Sequence, residues 1–319
     1  MQLIHPDPAS ARLGARAMTA IFRAGPVGPG ARALLEAAQD HLLNLRFDPD
    51  HTEPISPEAL AEGFSDPAAR LQLIRGMIVV SLADGPPAPE RMALVRAYAD
   101  ALEVDEAAVE ALTRLSERHM LLFKLDFYRR SHLLDIVADQ YSRYGGLWGV
   151  ARGVLGQRGL VEDPALAARY QALGALPEGT LGRELWRHCR ENGFHFPGEK
   201  GGFPEAGMYH DVSHVLSGYG TDPIGETLIA AFIGAYRREN PFHVVLFGVL
   251  TFSAGVNMTP IPQPASVSVL GEPGVAARWL RAIERGGRVN TDLSDHWAWW
   301  PHVERPIEEL RAALGIEPE

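Results

Sequence analysis

The sequence predicts an all-α protein, and three observations carry that expectation. Ala, Leu, Glu and Arg recur at helical spacing along almost the whole chain. Val, Ile and Thr rarely alternate with polar residues, and no pair of runs reads as a hairpin. Helix-start signals of the Ser-Pro or Asp-Pro type precede apolar segments at Ser56-Pro57, Asp66-Pro67 and Asp222-Pro223. No internal repeat is visible.

The elements follow in chain order. Residues 30–44 form a first helix with Leu34, Leu35, Ala38, Leu42 and Leu43 on one stripe. A Pro- and Asp-rich connection leads to a short helix capped by Ser56. The next helix starts at Asp66-Pro67, runs through Leu71, Ile74, Met77, Ile78 and Leu82, and stops at Asp84-Gly85-Pro86-Pro87. Helices follow at 89–102 and 105–115. The latter is expected to continue into the apolar run that ends at Tyr144, where Gly145-Gly146 breaks it. A domain boundary is placed there, giving a helical N-terminal domain over 1–150 and a second helical domain over 151–319. The second half holds helices at 164–173, 183–192, 274–285 and 306–314, with a Pro-rich loop at 260–264.

Composition narrows the function. Hydrophobic residues at 46% and charged residues at 22% are ordinary for a globular chain, which excludes wholesale disorder. The formal charge of −10 gives no footprint for non-specific nucleic-acid binding. The chain has 1 cysteine, Cys189, so an internal disulfide and a Cys-rich zinc site are excluded. The first ten residues lack the apolar core of a signal peptide. The most apolar stretch, 227–256, is interrupted by Arg237-Arg238-Glu239-Asn240-Pro241 and falls short of the roughly 20 residues that span a bilayer. A cytoplasmic protein is expected.

The informative segment is Tyr209-His210-Asp211-Val212-Ser213-His214 followed by Val215-Leu216-Ser217-Gly218-Tyr219-Gly220-Thr221-Asp222-Pro223-Ile224-Gly225-Glu226. Residues four apart share a helix face, so His210 and His214 can aim at one point. Asp211 lies about 100° round the helix and can reach the same point or orient a ligand. Gly218 and Gly220 end that helix. Asp222 and Pro223 start another, with Glu226 in its first turn, and a helical hairpin returns Glu226 toward His214. Two imidazoles and one or two carboxylates suit Zn²⁺ best, with Fe²⁺ or Mn²⁺ also accepted. The competing account is an accidental surface pair of histidines.

This segment resembles the coenzyme Q biosynthesis protein 4 family, whose signature is His-Asp, two residues, His, eleven residues, Glu. Leu176-Pro177-Glu178-Gly179-Thr180-Leu181-Gly182-Arg183 and Arg305-Pro306-Ile307-Glu308-Glu309-Leu310 are similar to that family's wording as well. The resemblance spans roughly residues 150–319. It implies an all-helical, often dimeric protein that binds a divalent metal, zinc above all, through His210, Asp211, His214 and Glu226. It implies polyprenylated lipid in an apolar cavity and peripheral attachment to the quinone-making membrane, on its cytoplasmic face. The implied activity is removal of the C1 carboxyl from a polyprenylated hydroxybenzoate, with or without hydroxylation at that carbon. Asp211 or Glu226 would then relay the proton. The other implied role is a non-catalytic, lipid-carrying scaffold for quinone-biosynthesis enzymes. Residues 1–150 have no place in the short family member. Within them, 71–102 is similar to TerB-like helical domains, with Ala83-Asp84-Gly85 between two helices and Glu90 and Arg91 on the second. The acidic pair usual after the Asp-Gly turn is thinned here, and a plain helix stop competes with a second metal site. A stress-response role led by this half is a third hypothesis.

If the hairpin forms, Ile229, Ala230 and Ile233 share the face of Glu226. They are expected to line the prenyl cavity, an ordinary helical core being the alternative. His188, His195 and His243 read as surface or core histidines, and Cys189 as a small packed residue. Trp297, Trp299 and Trp300, beside His296, read as packing against the last helix or as an interface anchor.

Overall fold

A computed structural model describes residues 1–130, 162–202, 204–258, 266–294 and 297–319. These hold fourteen α-helices and no strand; the only ladder pairings among them are two isolated bridges, Thr180 with Pro306 and Ala254 with Val267. The all-α expectation holds. Gly145-Gly146, the boundary placed near residue 150, the 260–264 loop and His296 lie outside the described residues.

The helices are α1 (Pro8–Arg23), α2 (Pro29–Ala38), α3 (Pro57–Gly63), α4 (Pro67–Leu82), α5 (Pro89–Ala101), α6 (Ala107–Ser116) and α7 (Met120–Arg130). They continue with α8 (Pro164–Gln171), α9 (Leu181–Glu191), α10 (Met208–Ser217), α11 (Pro223–Tyr236), α12 (Pro241–Phe252), α13 (Val275–Arg288) and α14 (Ile307–Leu314). Among the described residues no helix is long and apolar enough to cross a membrane. The chain forms two compact units. One comprises Met1–Arg129, Asp222–Ala235 and Asn240–Gly287; the other comprises the described residues of Arg130–Thr221 with Tyr236–Glu239 and Arg288–Glu319.

In the first unit α4 is the central helix. Ile74, Met77, Ile78 and Leu82 are fully buried, each contributing about 1.5–3 kcal/mol. It packs on α1, α2, α5 and α12. Close approach between α11 and α12 depends on glycine: a Cβ on Gly248 would lie 2.5 Å from the Cβ of Ala230. Helix α1 carries the same start signal as the helices expected from the sequence. Asp7 accepts from the backbone N–H groups of Ala9 and Ser10, and Pro8 follows at N1.

Helix α2 has no cap of its own, because Gly28 precedes Pro29. Asp84, just past the end of α4, supplies one. Its carboxylate accepts from Gly30 N–H at 2.7 Å and Ala31 N–H at 2.8 Å, and from the Ser268 hydroxyl at 2.7 Å. The Asp84-Gly85 turn is thus a helix stop whose acid holds another helix start.

Helix α6 does not continue into α7. His119 N–H bonds to the Arg114 carbonyl at 2.8 Å and Arg118 N–H to that of Leu115 at 3.0 Å. This is the Schellman closure, with Arg118 at φ 64° in the left-handed position. No glycine announces it, so the sequence reads as unbroken.

In the second unit, the segments that carry the family resemblance bond to one another. Leu181 N–H reaches the Arg305 carbonyl at 3.0 Å, Gly182 N–H that of Val303 at 2.8 Å, and Ile307 N–H that of Gly179 at 2.8 Å. Trp299 and Trp300 pack on Tyr170 of α8, with ring centroids 6.0 and 5.0 Å away.

Because a left-handed Arg118 carries steric cost that glycine lacks, Arg118→Gly is expected to stabilise the protein by about 0.5–1 kcal/mol. Urea denaturation checks this; an unchanged or lowered midpoint counts against the closure.

Candidate metal centre

Helix α10 is fixed from several sides before any ligand is considered. Val212 and Leu216 are buried along one face. The Ser213 hydroxyl donates to the Tyr209 carbonyl and pairs with the Tyr236 hydroxyl at 2.9 Å. At the C-terminal end, Arg311 of α14 donates to the carbonyls of Leu216 at 2.9 Å and Val215 at 3.0 Å. A guanidinium there satisfies carbonyls the helix leaves open and complements its dipole. Gly218, at φ 84°, ends the helix through a bond from its N–H to the His214 carbonyl at 2.9 Å.

The following turn repeats the expected start signal. Asp222 accepts from Ile224 N–H at 2.8 Å and Gly225 N–H at 3.1 Å. Glu226 N–H closes the first turn onto the Asp222 carbonyl at 2.8 Å. Across this helix–turn–helix segment, one ligand atom each from His210, His214 and Glu226 lie within 4.8 Å of one another. His214 is buried, and His210 and Glu226 are half-buried.

Two imidazoles and a carboxylate suit a divalent ion of the zinc type. The tautomer of His214 fits as well. Its Nδ1 lies 3.0 Å from the Tyr219 carbonyl oxygen, which can only accept. Nδ1 therefore carries the proton, and Nε2 presents its lone pair, the arrangement by which a backbone carbonyl orients a metal-binding histidine.

Asp211 stands elsewhere. Its carboxylate lies 3.4 Å from His188 Nε2 on α9. The His188 ring in turn stacks against His214, centroids 5.4 Å apart. Of the expected site residues, the structure brings His210, His214 and Glu226 together and sets Asp211 against His188. The sequence reads His188 as a surface or core histidine, and its position 23 residues upstream of Asp211 carries no local signal of the pairing. Cys189 is buried, and burial first and the Asp211 charge second push its thiol up to about 12. It is a neutral packed group.

Ile229 and Ile233 are buried to 0% and 2% exposure. Ala230 packs where Gly248 makes room. In the first unit α1, α2 and α4 border an apolar cavity, and none of the three residues lines it. His195 is exposed. The ring of His243 lies 3.8 Å from that of Phe127.

Glu199 ties the approach to α10 together. It accepts from Arg190 at 2.7 Å, Gln171 at 2.9 Å and Phe196 N–H at 2.8 Å. Burial raises its pKa, but the hydrogen bonds from Arg190, Gln171 and Phe196 outweigh burial and hold it down to about 2.

No protein-family model and no curated protein matches the chain. Among solved structures, it resembles a Nostoc punctiforme protein provisionally named a ubiquinone biosynthesis protein. The identity is 19% and the TM-score 0.35, over 62% of this chain and 87% of that one.

Two expectations follow. A carboxylate held low contributes stability that is complete above its ordinary value of 4.5 and is lost as pH falls through about 2. Acid should therefore weaken the wild type more steeply than Glu199→Gln between about pH 4.5 and 2; parallel loss in urea midpoints would show that another group titrates. Gly218→Ala meets no neighbour within 4 Å but keeps φ 84°, so strain alone should cost about 1–2 kcal/mol. It should also weaken divalent-ion affinity by about tenfold through the displaced Tyr219 carbonyl. Competition with a zinc chelator reads that change, and unaltered affinity counts against the role of the turn.

Proposed function

We propose that this protein binds one divalent ion, zinc by preference, at His210, His214 and Glu226, and acts in ubiquinone biosynthesis by removing the C1 carboxyl of a polyprenylated hydroxybenzoate. The observation that carries the proposal is the convergence of those three side chains within the segment whose spacing resembles the coenzyme Q biosynthesis protein 4 family. The orientation of His214 by the Tyr219 carbonyl supports it. A bound divalent ion supplies Lewis-acid stabilisation of negative charge on a substrate carboxylate or phenolate.

The remaining work falls to the chain itself. Decarboxylation breaks the bond from ring to carboxyl, releases carbon dioxide, and leaves an electron pair at C1 that must take a proton. Asp211 suits that transfer better than Glu226, which stands with the histidines. His188 lies within reach of the Asp211 carboxylate and can hold it in place or share its proton. Among the described residues three ligand groups converge. Three protein ligands are the pattern of catalytic rather than closed structural zinc sites, which supports chemistry over a purely scaffolding role.

Purified protein should carry about one divalent ion per chain by elemental analysis, and His214→Ala should lose most of it. Retention of the ion in that variant would defeat the ligand assignment. Cells in which Asp211→Asn replaces the wild type should accumulate the prenylated acid with its carboxyl intact while the protein keeps its metal. Normal quinone synthesis in those cells would replace catalysis with the scaffold role.

A further inference from the structure

The first unit holds an apolar cavity of about 300 Å³, partly open to solvent. Its wall contains the whole stripe anticipated from the sequence, Leu34, Leu35, Ala38, Leu42 and Leu43. The last two belong to a π-helical turn, Gln39–Leu43, that continues α2. Such turns are uncommon and concentrate at functional sites.

The polar side chains of the wall are already engaged. Gln72 donates to the Ile4 carbonyl at 2.8 Å and accepts from Ile4 N–H at 2.7 Å. Arg75 pairs with Glu106 at 2.8 Å. The Ser10 hydroxyl donates to Asp7 at 2.6 Å, and the Gln2 amide to the Gly287 carbonyl at 3.3 Å. Two glycines keep the space open. A Cβ on Gly76 would meet nothing nearer than the Met18 side chain at 4.0 Å, and one on Gly14 nothing nearer than Leu73 at 3.8 Å.

Protein interiors pack densely, with few voids larger than a water molecule. Water is held poorly where no polar partner is offered. A space of this size lined by engaged polar groups and by aliphatic and aromatic side chains is therefore built around something apolar. We infer that the cavity is a binding site for an uncharged aliphatic chain. Its capacity is roughly twelve carbon atoms, on the scale at which a cavity of about 150 Å³ takes one benzene. The site stands independently of the proposed metal chemistry: most of its wall comes from residues 1–80, and none of His210, Asp211, His214 and Glu226 lines it.

The test uses the full chain with decanol as probe and decanoate as the charged control. Isothermal titration should show one decanol site, with decanoate binding about tenfold or more weakly, because the two cationic groups of the wall are already engaged, Arg75 by Glu106 and the Met1 ammonium by the Ala235 carbonyl. With carbon-13 methyl-labelled methionine, decanol should shift the Met18 methyl signal. Gly76→Leu fills the space from a helical position, so it should keep or raise the melting temperature and weaken decanol by about tenfold or more. If that variant does not fold, Gly14→Leu and the Met18 methyl shift decide. Solvent extraction followed by mass spectrometry distinguishes an empty site from one that carries an aliphatic molecule out of the cell; such a molecule, displaced by decanol, supports the site. Three results would overturn it: no decanol binding with nothing extracted, decanoate binding as tightly as decanol, or decanol binding that leaves Met18 unmoved and persists in the filled variant.

Discussion

Each helix leaves four backbone donors at its start and four acceptors at its end, and in a chain of helices this constraint sets the layout. The same solution recurs. Asp7, Ser56, Asp66, Asp163 and Asp222 each accept from backbone N–H groups of the helix that begins with the proline after them. Where the local solution is missing, a distant one replaces it. Helix α2 begins after a glycine and takes its cap from Asp84, 54 positions away from Gly30. That one carboxylate joins the start of α2 to the end of α4 and to Ser268. The join is tight: a Cβ on Gly28 would lie 2.3 Å from the Asp84 carboxyl carbon. A cap that closes a local turn elsewhere thus becomes, at Asp84, part of the tertiary structure.

The candidate metal centre is a product of the same constraint. Helix α10 must end, and Gly218 and Arg311 satisfy its last carbonyls. Helix α11 must begin, and Asp222 satisfies its first donors. The distance between those two events fixes where Glu226 stands in the first turn. The carbonyl of Tyr219, placed just after the left-handed turn at Gly218, is the one that meets His214 Nδ1. Ligand position and ligand tautomer both descend from a helix stop followed at once by a helix start.

This explains what was legible in the sequence. Stops made by glycine and starts made by Asp-Pro or Ser-Pro are written locally, so the course of α3, α4, α10 and α11 could be read. Asp7-Pro8 carries the same signal, and α1 follows it. Stops made by residues with no preference for the left-handed region are not written. Glu103 and Arg118 adopt φ values of 55° and 64° and close α5 and α6 as Gly193 and Gly315 close α9 and α14. Only packing selects that conformation at a charged residue. Through-space pairings were equally hidden. Nothing in the spacing of Asp84 announces α2, and nothing in that of His188 announces Asp211.

The placement of Asp211 has a geometric cause. His210 and His214 are four residues apart and share a face, whereas Asp211 is turned about 100° from His210. On that side α9 presents His188 within 3.4 Å. The motif is therefore divided by helical period into the face of His210 and His214 and an adjacent flank where Asp211 meets His188. Cys189, one residue after His188, stays a neutral packed group. Burial and the negative field of Asp211 keep its thiol protonated, so the softest potential ligand of the chain cannot compete as thiolate. The flank retains the Asp211 carboxylate and the His188 imidazole, 3.4 Å apart.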